Sequence, residues 1–327
     1  MNSNHPTRLI TIFGGSGFVG RHLTRALAKR GYRVRAAVRR PDLAGHLQPL
    51  GNVSQIAAVQ ANLRYPWSVE QAAQGSDLII NLVAILYETG RQTFSAVQEA
   101  GAAAVAKTAK DLNVPLVHIS AIGADTEAGS DYARTKGMAE KRVRELVPDA
   151  TIVRPSIIFG PEDEFFNKFA EMSRLSPALP MIGGGHTKFQ PVFVGDVAEA
   201  IARIVDDHFD EGETAGKTYE LGGPEVASFR ECMEKMLDII DRKRVLATIP
   251  FGVARAMGSV MQFAPKPPLT PDQVRLLESD NVVGGDAKRE NRTLEGLGIA
   301  PRTMASVLPS YLVRFRPRGQ YEIDRGI

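Results

Sequence analysis

The chain has 327 residues, of which 43% are apolar and 24% charged, and these are the proportions of a folded globular protein rather than a disordered one. Lys and Arg outnumber Asp and Glu by only 40 to 37, so the charge gives no reason to expect nucleic acid as a partner. Cys232 is the single cysteine and the six histidines match no metal-ligand spacing, which excludes an intrachain disulfide and leaves no predicted metal site.

Apolar runs alternate with helical patterns over the first half of the chain. They predict strands at residues 9–13, 32–38, 55–59, within 77–86, at 116–120 and at 151–155, with helices that include 19–30 and 97–112. Strands that alternate with helices of this length predict an α/β fold with a Rossmann-type doubly wound parallel sheet. After about residue 160 Pro and Gly become frequent, which predicts a smaller, mixed C-terminal substrate lobe.

These patterns predict two domains. We expect a dinucleotide-binding Rossmann domain at residues 1–160, to which segments around 188–225 return, and a smaller interleaved lobe and tail at 161–327.

A glycine-rich turn follows the first predicted strand and opens the first helix. Gly14 permits the tight turn, Gly17 lets the backbone approach a pyrophosphate, and Gly20 lets the helix pack on the strand. The free N–H groups of the helix N-terminus suit phosphate groups. The predicted binding residues of this turn are Gly14, Gly15, Ser16, Gly17, Phe18, Val19 and Gly20.

The end of the second predicted strand carries arginines where an acidic residue would favour NAD(H). A guanidinium suits a 2′-phosphate in charge and in geometry, so Arg39, assisted by Arg40, favours NADP(H). NAD(H) stays open as the alternative, because Asp42 lies close by and surface arginines can be merely solvated.

Amide side chains follow the next two strands, at the carboxyl edge where ligands of such sheets lie. Asn62 and Leu63 could reach the adenine, and Asn81, Val83 and Ala84 end the fourth strand beside the cofactor. Structural roles at the turn and the strand end are the alternative for the two asparagines.

The fifth strand ends at Ser120, and twelve residues later a helix opens with Tyr132 and Lys136. Their spacing places both side chains on one helix face, so the lysine ammonium should lower the phenol pKa and let Tyr132 exchange a proton with a carbonyl or alcohol. Ser120 could hydrogen-bond the same oxygen. The alternative is a surface helix pair without chemistry.

These motifs, together with residues 154–161, resemble the short-chain dehydrogenase/reductase superfamily in its extended and atypical branch, over roughly residues 8–225. The resemblance implies that Tyr132 and Lys136 bind the nicotinamide ribose and act as the acid–base pair. It also implies that Pro155, Ser156 and Ile157 line the nicotinamide.

A closer similarity is to the family of 39 kDa NADPH-binding accessory subunits of respiratory complex I and their bacterial relatives. It rests on residues 132–136, 158–167 and 190–198, and on the late residues 294–299 and 311–318. The position seven residues before Asp196 holds Phe189, where sugar-nucleotide enzymes commonly carry arginine. Asp196 itself is predicted to be the N-cap of a helix over 197–205.

The resulting hypothesis is an NADP(H)-binding accessory or assembly subunit associated with NADH:quinone oxidoreductase. One alternative is a freestanding NADPH-dependent reductase or epimerase/dehydratase-like enzyme that acts on a carbonyl substrate, and another is an accessory factor of quinone biosynthesis. No apolar run approaches the roughly 18 residues of a membrane span. We therefore expect a cytoplasmic protein without a transmembrane segment, or one peripheral on the cytoplasmic face of the inner membrane with a respiratory complex or quinone-related partner.

Overall fold

The structure is a computed structural model that describes residues 8–264 and 267–317, so Arg318 of the late basic segment lies outside the described residues. The strands, in chain order, are β1 Leu9–Phe13, β2 Arg33–Val38, β3 Ile56–Gln60, β4 Leu78–Asn81, β5 Leu116–Ile119, β6 Thr151–Pro155, β7 Ile158–Phe159, β8 Ala178–Ile182, β9 Lys188–Phe189, β10 Val192–Phe193, β11 Thr218–Leu221, β12 Ala227–Ser228 and β13 Val245–Ile249.

The α-helices, again in chain order, are α1 Phe18–Lys29, α2 Pro66–Ala73, α3 Ala100–Leu112, α4 Asp131–Leu146, α5 Phe166–Leu175, α6 Val194–Phe209, α7 Phe229–Ile239, α8 Phe251–Met261, α9 Pro271–Leu276, α10 Gly285–Arg289, α11 Met304–Val307 and α12 Pro309–Leu312. A short π-helical turn, Ser95–Glu99, leads directly into α3.

The chain forms two compact units. Unit 1 comprises Met1–Pro155, Gly195–Leu221 and Gly284–Ile299, and unit 2 comprises Ser156–Val194, Gly222–Val283 and Ala300–Ile327.

Unit 1 is built on a seven-stranded sheet in the order β11-β6-β5-β4-β1-β2-β3, in which every pair of neighbours is parallel. The order reverses direction beside β1, which is the topological switch point where such sheets bind ligands. The predicted α/β fold with a Rossmann-type parallel sheet is therefore confirmed.

The central strands β1 and β4 are mostly apolar because the sheet is covered. Ile10 and Ile12 of β1 and Ile80 of β4 are completely buried, as expected for central parallel strands. On one face the sheet packs against α2, α3 and α4, whose small residues such as Ala102 and Ala106 allow close approach. Each fully buried Ile or Leu contributes about 1.5–3 kcal/mol to folding, so this layer holds the carboxyl edge of the sheet in place.

The helix after β10 differs from the sequence prediction. It begins at Val194, directly after the strand, so Asp196 lies inside its first turn rather than at the N-cap. A carboxylate in the first turn is favoured by the positive end of the helix dipole, and this explains why an acidic residue there resembled a cap in the sequence.

Unit 2 contains three two-stranded sheets, in which β7 pairs with β10, β8 with β13 and β9 with β12. Its core gathers Phe159 and Phe166 with Met233 and Met236 of α7. Helix α7 begins with a capping box in which Ser228 and Glu231 exchange hydrogen bonds with each other's backbone N–H. In α8, Ala254 is buried against Ile182 and Val274, with Phe251 packed beside them.

Among residues 8–264 and 267–317, no helix is long and apolar enough to cross a membrane.

Candidate functional site

The glycine-rich turn between β1 and α1 is held by backbone contacts. Gly14 has a φ of +86°, which side chains rarely adopt, and its N–H donates to the carbonyl of Ala37 at 3.0 Å. A Cβ atom at Gly20 would lie 2.4 Å from the carbonyl oxygen of Gly14, which is closer than real Cβ contacts. The turn and the helix therefore approach each other at a distance that only glycine permits.

The N-terminus of α1 is open towards the carboxyl edge of the sheet. Its N-cap is Gly17, which has no side chain to accept from the first N–H groups. The first turn of the helix, residues 18–21, contains no acidic residue. Gly15 lies directly over Ala36 of β2, where a Cβ would come within 2.8 Å of the alanine methyl group. The geometry fits a phosphate group that accepts from the backbone of residues 15–20, the segment that also carries Ser16, Phe18 and Val19.

The two arginines after β2 differ in their partners. Arg39 donates to the neutral side-chain oxygen of Gln92, so no acidic side chain offsets its charge through that contact. Arg40 forms a bidentate ion pair with Asp42, with distances of 3.0 and 2.7 Å. Both guanidinium groups are exposed. Arg39 is thus better suited than Arg40 to a 2′-phosphate, and Asp42 is engaged by Arg40.

Asn62 and Leu63 follow β3, but their side chains serve the local structure. The Asn62 side-chain oxygen accepts from the backbone N–H of Arg64 at 3.2 Å, and its own N–H donates to Ser68 Oγ at 3.0 Å. Leu63 is buried against Gly101 of α3. These contacts match the turn role that the sequence left open for Asn62.

The segment after β4 is brought against the glycine turn. Leu82 N–H donates to the carbonyl of Phe13 at 2.9 Å, and the Val83 side chain is the nearest neighbour of the position where Gly14 would carry a Cβ. Asn81 is buried, with its oxygen accepting from Val83 N–H at 3.1 Å and its amide nitrogen 3.3 Å from His118 Nδ1. Ala84 is exposed beyond them.

Lys136 reaches the end of β5, where Ser120 follows. Lys136 is almost completely buried, and its ammonium donates at 3.0 Å to the carbonyl of Ile119, the residue directly before Ser120. Helix α4 places Tyr132 one turn before Lys136, because its N-cap Ser130 accepts from Ala133 N–H and begins the helix at Asp131. The Ser120 hydroxyl is buried and has no hydrogen-bond partner among the described residues.

Burial is the main cause of the pKa shifts of Lys136 and Tyr132. It lowers the pKa of Lys136 to about 8, although the nearby Glu140 carboxylate acts in the opposite direction. It raises the pKa of Tyr132 to about 12, whereas the sequence predicted that the lysine would lower it. The prediction is wrong for this structure because the ammonium is directed at the Ile119 carbonyl, while desolvation disfavours the phenolate.

Residues 155–157 divide between the two units. Pro155 ends β6 in unit 1, where its carbonyl accepts from Ile122 N–H at 3.1 Å. In unit 2, Ser156 Oγ lies 2.7 Å from the side-chain oxygen of Asn281, which also accepts from Ile157 N–H at 3.1 Å. The Ser156 side chain is therefore engaged within unit 2.

Four residues of this region were not among the predicted site residues. Gln92 contacts Arg39, Phe94 packs edge-on against Tyr132 with ring centroids 5.9 Å apart, and Gln98 donates to Thr135. The charge of Lys136 contributes to the lowered pKa of His118. Only His118 carried a usable sequence signal, since it lies two residues before Ser120 and hence on the same face of the strand. The other contacts join segments far apart in the chain.

Comparison with known proteins agrees with this geometry. The model of the NAD dependent epimerase/dehydratase family matches residues 10–222, and the chain belongs to this family. As a member of this family, the chain binds a nicotinamide dinucleotide and has the short-chain dehydrogenase/reductase type of fold.

Individual relatives indicate a narrower group of proteins within the family. The chain is 33% identical to NADH dehydrogenase [ubiquinone] 1 alpha subcomplex subunit 9, mitochondrial, of Arabidopsis thaliana, over 94% of this chain and 78% of that protein. It is 29% identical to the NADH-ubiquinone oxidoreductase 40 kDa subunit, mitochondrial, of Neurospora crassa, over 96% and 81%. A dTDP-glucose 4,6-dehydratase structure from Streptomyces venezuelae shares the fold, with a TM-score of 0.68 at 19% identity over 94% of this chain and 96% of that one. The chain is thus a homologue of these mitochondrial subunits.

Proposed function

We propose that this chain is an NADP(H)-binding accessory or assembly subunit of a membrane-bound NADH:quinone oxidoreductase, peripheral on the cytoplasmic face of the inner membrane. The observation that carries the proposal is the similarity to the mitochondrial subunits, which extends over 94% of the chain and so includes both units. The nucleotide is mainly structural or regulatory in this proposal.

The residues of unit 1 fit an NADP(H) molecule along the carboxyl edge of the sheet. The backbone of the glycine turn would hold the pyrophosphate, Arg39 the 2′-phosphate, and Tyr132 with Lys136 the nicotinamide ribose. The bound nucleotide would supply hydride transfer if a substrate were present. In the accessory role it contributes binding energy that stabilises the folded unit.

Native purification tests this proposal. We expect NADP(H) to be released on denaturation of the purified protein, and the native chain to cofractionate with the membrane-bound NADH:quinone oxidoreductase. Release of NAD(H) alone would contradict the proposed nucleotide, while a protein that migrates separately from the complex in membrane extracts would contradict the accessory role.

A freestanding NADPH-dependent reductase is the second candidate, and the buried Ser120 hydroxyl favours it. This hydroxyl has no partner among the described residues and could donate to a substrate carbonyl oxygen. Since the pKa of Tyr132 is about 12, the phenol keeps its proton at neutral pH and could deliver it to that oxygen.

NADPH oxidation with a panel of carbonyl compounds and quinones separates the two candidates. A reductase should lose about 100-fold or more of its turnover in Tyr132→Phe, because a positioned proton donor contributes on that order. Tyr65→Phe is the matched control, since Tyr65 is an exposed tyrosine outside the site. Turnover that disappears in Tyr132→Phe but not in Tyr65→Phe would overturn the structural role of the nucleotide.

A further inference from the structure

The segment that follows β4 meets a side chain from the far side of the glycine turn. In the sheet, β4 and β2 are the two neighbours of β1, whose carboxyl end leads into that turn. Arg39 directly follows β2 and donates to the side-chain oxygen of Gln92, which belongs to residues 82–94 after β4. These two side chains together therefore span the carboxyl end of β1, where the proposed nucleotide binds.

A second arginine holds the same segment from the next strand. Arg64 follows β3, which lies beyond β2 in the sheet, and it donates to the carbonyl of Arg91 at 3.4 Å. Arg91 directly precedes Gln92, so the residues that follow β2 and β3 both contact one short stretch of the segment 82–94. This stretch therefore has a fixed place at the carboxyl edge of the sheet.

The backbone around Gln92 is held without the help of its side chain. Thr89 and Gln92 exchange backbone hydrogen bonds of 3.1 and 3.0 Å, which close a tight turn. Two residues further, Phe94 N–H donates to the Glu88 carboxylate at 2.7 Å, and the buried Phe94 ring packs edge-on against Tyr132. The Gln92 side chain thus projects from an anchored backbone, and a substitution there should leave the turn intact.

The two arginines after β2 show what an uncharged partner changes. Asp42 accepts two hydrogen bonds from Arg40 and cancels its charge. Gln92 carries no charge and accepts from only one of the five N–H donors of the Arg39 guanidinium, so the positive charge is retained. An exposed arginine without this contact would lose more rotamer freedom on binding a ligand, and this loss lowers affinity.

We propose that Gln92 is a positioning residue for Arg39 and determines the preference for NADP(H) over NAD(H). Its amide holds the guanidinium at the carboxyl edge before the nucleotide binds, and it leaves unchanged the charge that attracts the 2′-phosphate. NAD(H) has no 2′-phosphate, so its affinity does not depend on this contact. The inference rests on the proposed nucleotide site and adds the residue that distinguishes its two possible occupants.

Two substitutions separate the contact from the charge. Gln92→Ala removes the contact and keeps the charge of Arg39, whereas Gln92→Glu keeps the contact and cancels the charge. We expect the Kd of NADPH to increase about 2–10-fold in Gln92→Ala, which is the usual cost of ordering one long side chain. In Gln92→Glu it should increase about 10-fold or more, as on removal of Arg39 itself. The Kd of NADH should change by less than about twofold in both variants.

Calorimetric titration of the full-length protein, freed of nucleotide, measures both dissociation constants. Gln71→Glu is the matched control, because it adds the same charge at an exposed glutamine on α2. We expect it to change either Kd by less than about twofold. In an Arg39→Ala background, Gln92→Ala should weaken NADPH binding no further, since Gln92 acts through this arginine.

Equal losses of NADPH and NADH binding would indicate a structural role of Gln92 and overturn the proposal. So would an unchanged NADPH affinity in Gln92→Ala, a loss in Gln71→Glu as large as in Gln92→Glu, or a further loss in the Arg39→Ala background. If Gln92→Glu does not fold, Gln92→Ala decides alone.

The outcome is distinct from that of the proposed function. A wild type that does not prefer NADPH, or whose preference survives Arg39→Ala, refutes the nucleotide assignment. A preference that depends on Arg39 but not on Gln92 refutes only this inference.

Discussion

Replacing Arg39 with alanine should weaken NADPH binding while leaving NADH binding nearly unchanged. The guanidinium at the end of β2 is exposed and held by the uncharged Gln92 side chain. Opposite unit charges about 4 Å apart in water attract by about 1 kcal/mol, and a phosphate monoester carries about −1.5 to −2 charges at neutral pH. The loss should therefore be about 1.5–2 kcal/mol, which corresponds to an increase of roughly 10–30-fold in the Kd of NADPH.

Fluorescence titration with both nucleotides measures the effect, and repeating it at high salt should reduce the difference because exposed charges are screened. The matched control removes Arg40 and Asp42 together as Arg40→Ala/Asp42→Asn, which leaves the local net charge unchanged. We expect less than a threefold change for this control, because its two charges compensate each other. Equal losses for NADPH and NADH in Arg39→Ala, or a loss of the same size in the control, would refute the assignment of the 2′-phosphate to Arg39.

Three further outcomes are expected from urea unfolding. Gly20→Ala should destabilise the fold by about 2 kcal/mol or more and abolish nucleotide binding, because the added Cβ would overlap the carbonyl of the turn. The control Gly252→Ala, which has open space around it in α8, should be neutral or slightly stabilising. Equal effects of the two substitutions would contradict the close approach. Tyr311→Phe should cost about 1–2 kcal/mol, because the hydroxyl donates to the buried Asp163 carboxylate at 2.6 Å, and an unchanged stability would show that this bond contributes nothing net. Because the pKa of His118 is lowered to about 3 from 6.5, neutral His118 stabilises the fold above pH 6.5 and this contribution is lost as the pH falls towards 3. The wild type should therefore lose about 2 kcal/mol more than His118→Gln between pH 6.5 and pH 5, and parallel losses would exclude a buried neutral histidine.

The sequence was most informative where one physical pattern determines one element. The strand at 9–13 is apolar except for Thr11 and is followed by a glycine turn, and it occurs with the predicted bounds, as does the strand at 151–155. The glycine turn was identified from chemistry that few other residues can provide. By contrast, β7, β9, β10 and β12 have two residues each, which is too short for any periodicity. The pairing of β11 with β6 at the edge of the sheet joins segments far apart in the chain, which no local sequence pattern predicts.

Within the site, the sequence indicated positions but not the contacts that determine their chemistry. The spacing indicated that Tyr132 and Lys136 share a helix face, yet the direction of the Lys136 ammonium towards the Ile119 carbonyl depends on how α4 packs on β5. The direction of the Tyr132 pKa shift was also predicted wrongly, because the burial that raises this pKa cannot be judged from residue spacing. The Arg39–Gln92 contact spans 53 positions and is invisible to any local rule.

The contact between Gly14 and Gly20 has a consequence for how such a protein can diverge. The same close approach that exposes the backbone to a phosphate also joins the first helix to the sheet, so one substitution at Gly20 damages both. A descendant that no longer needs its nucleotide therefore cannot discard the turn without losing the fold. It would instead lose affinity through substitutions at Arg39 or its partner Gln92, which do not affect the fold. An intact glycine turn in a relative is therefore evidence of the fold only, whereas the residues at positions 39 and 92 indicate whether the nucleotide is still bound.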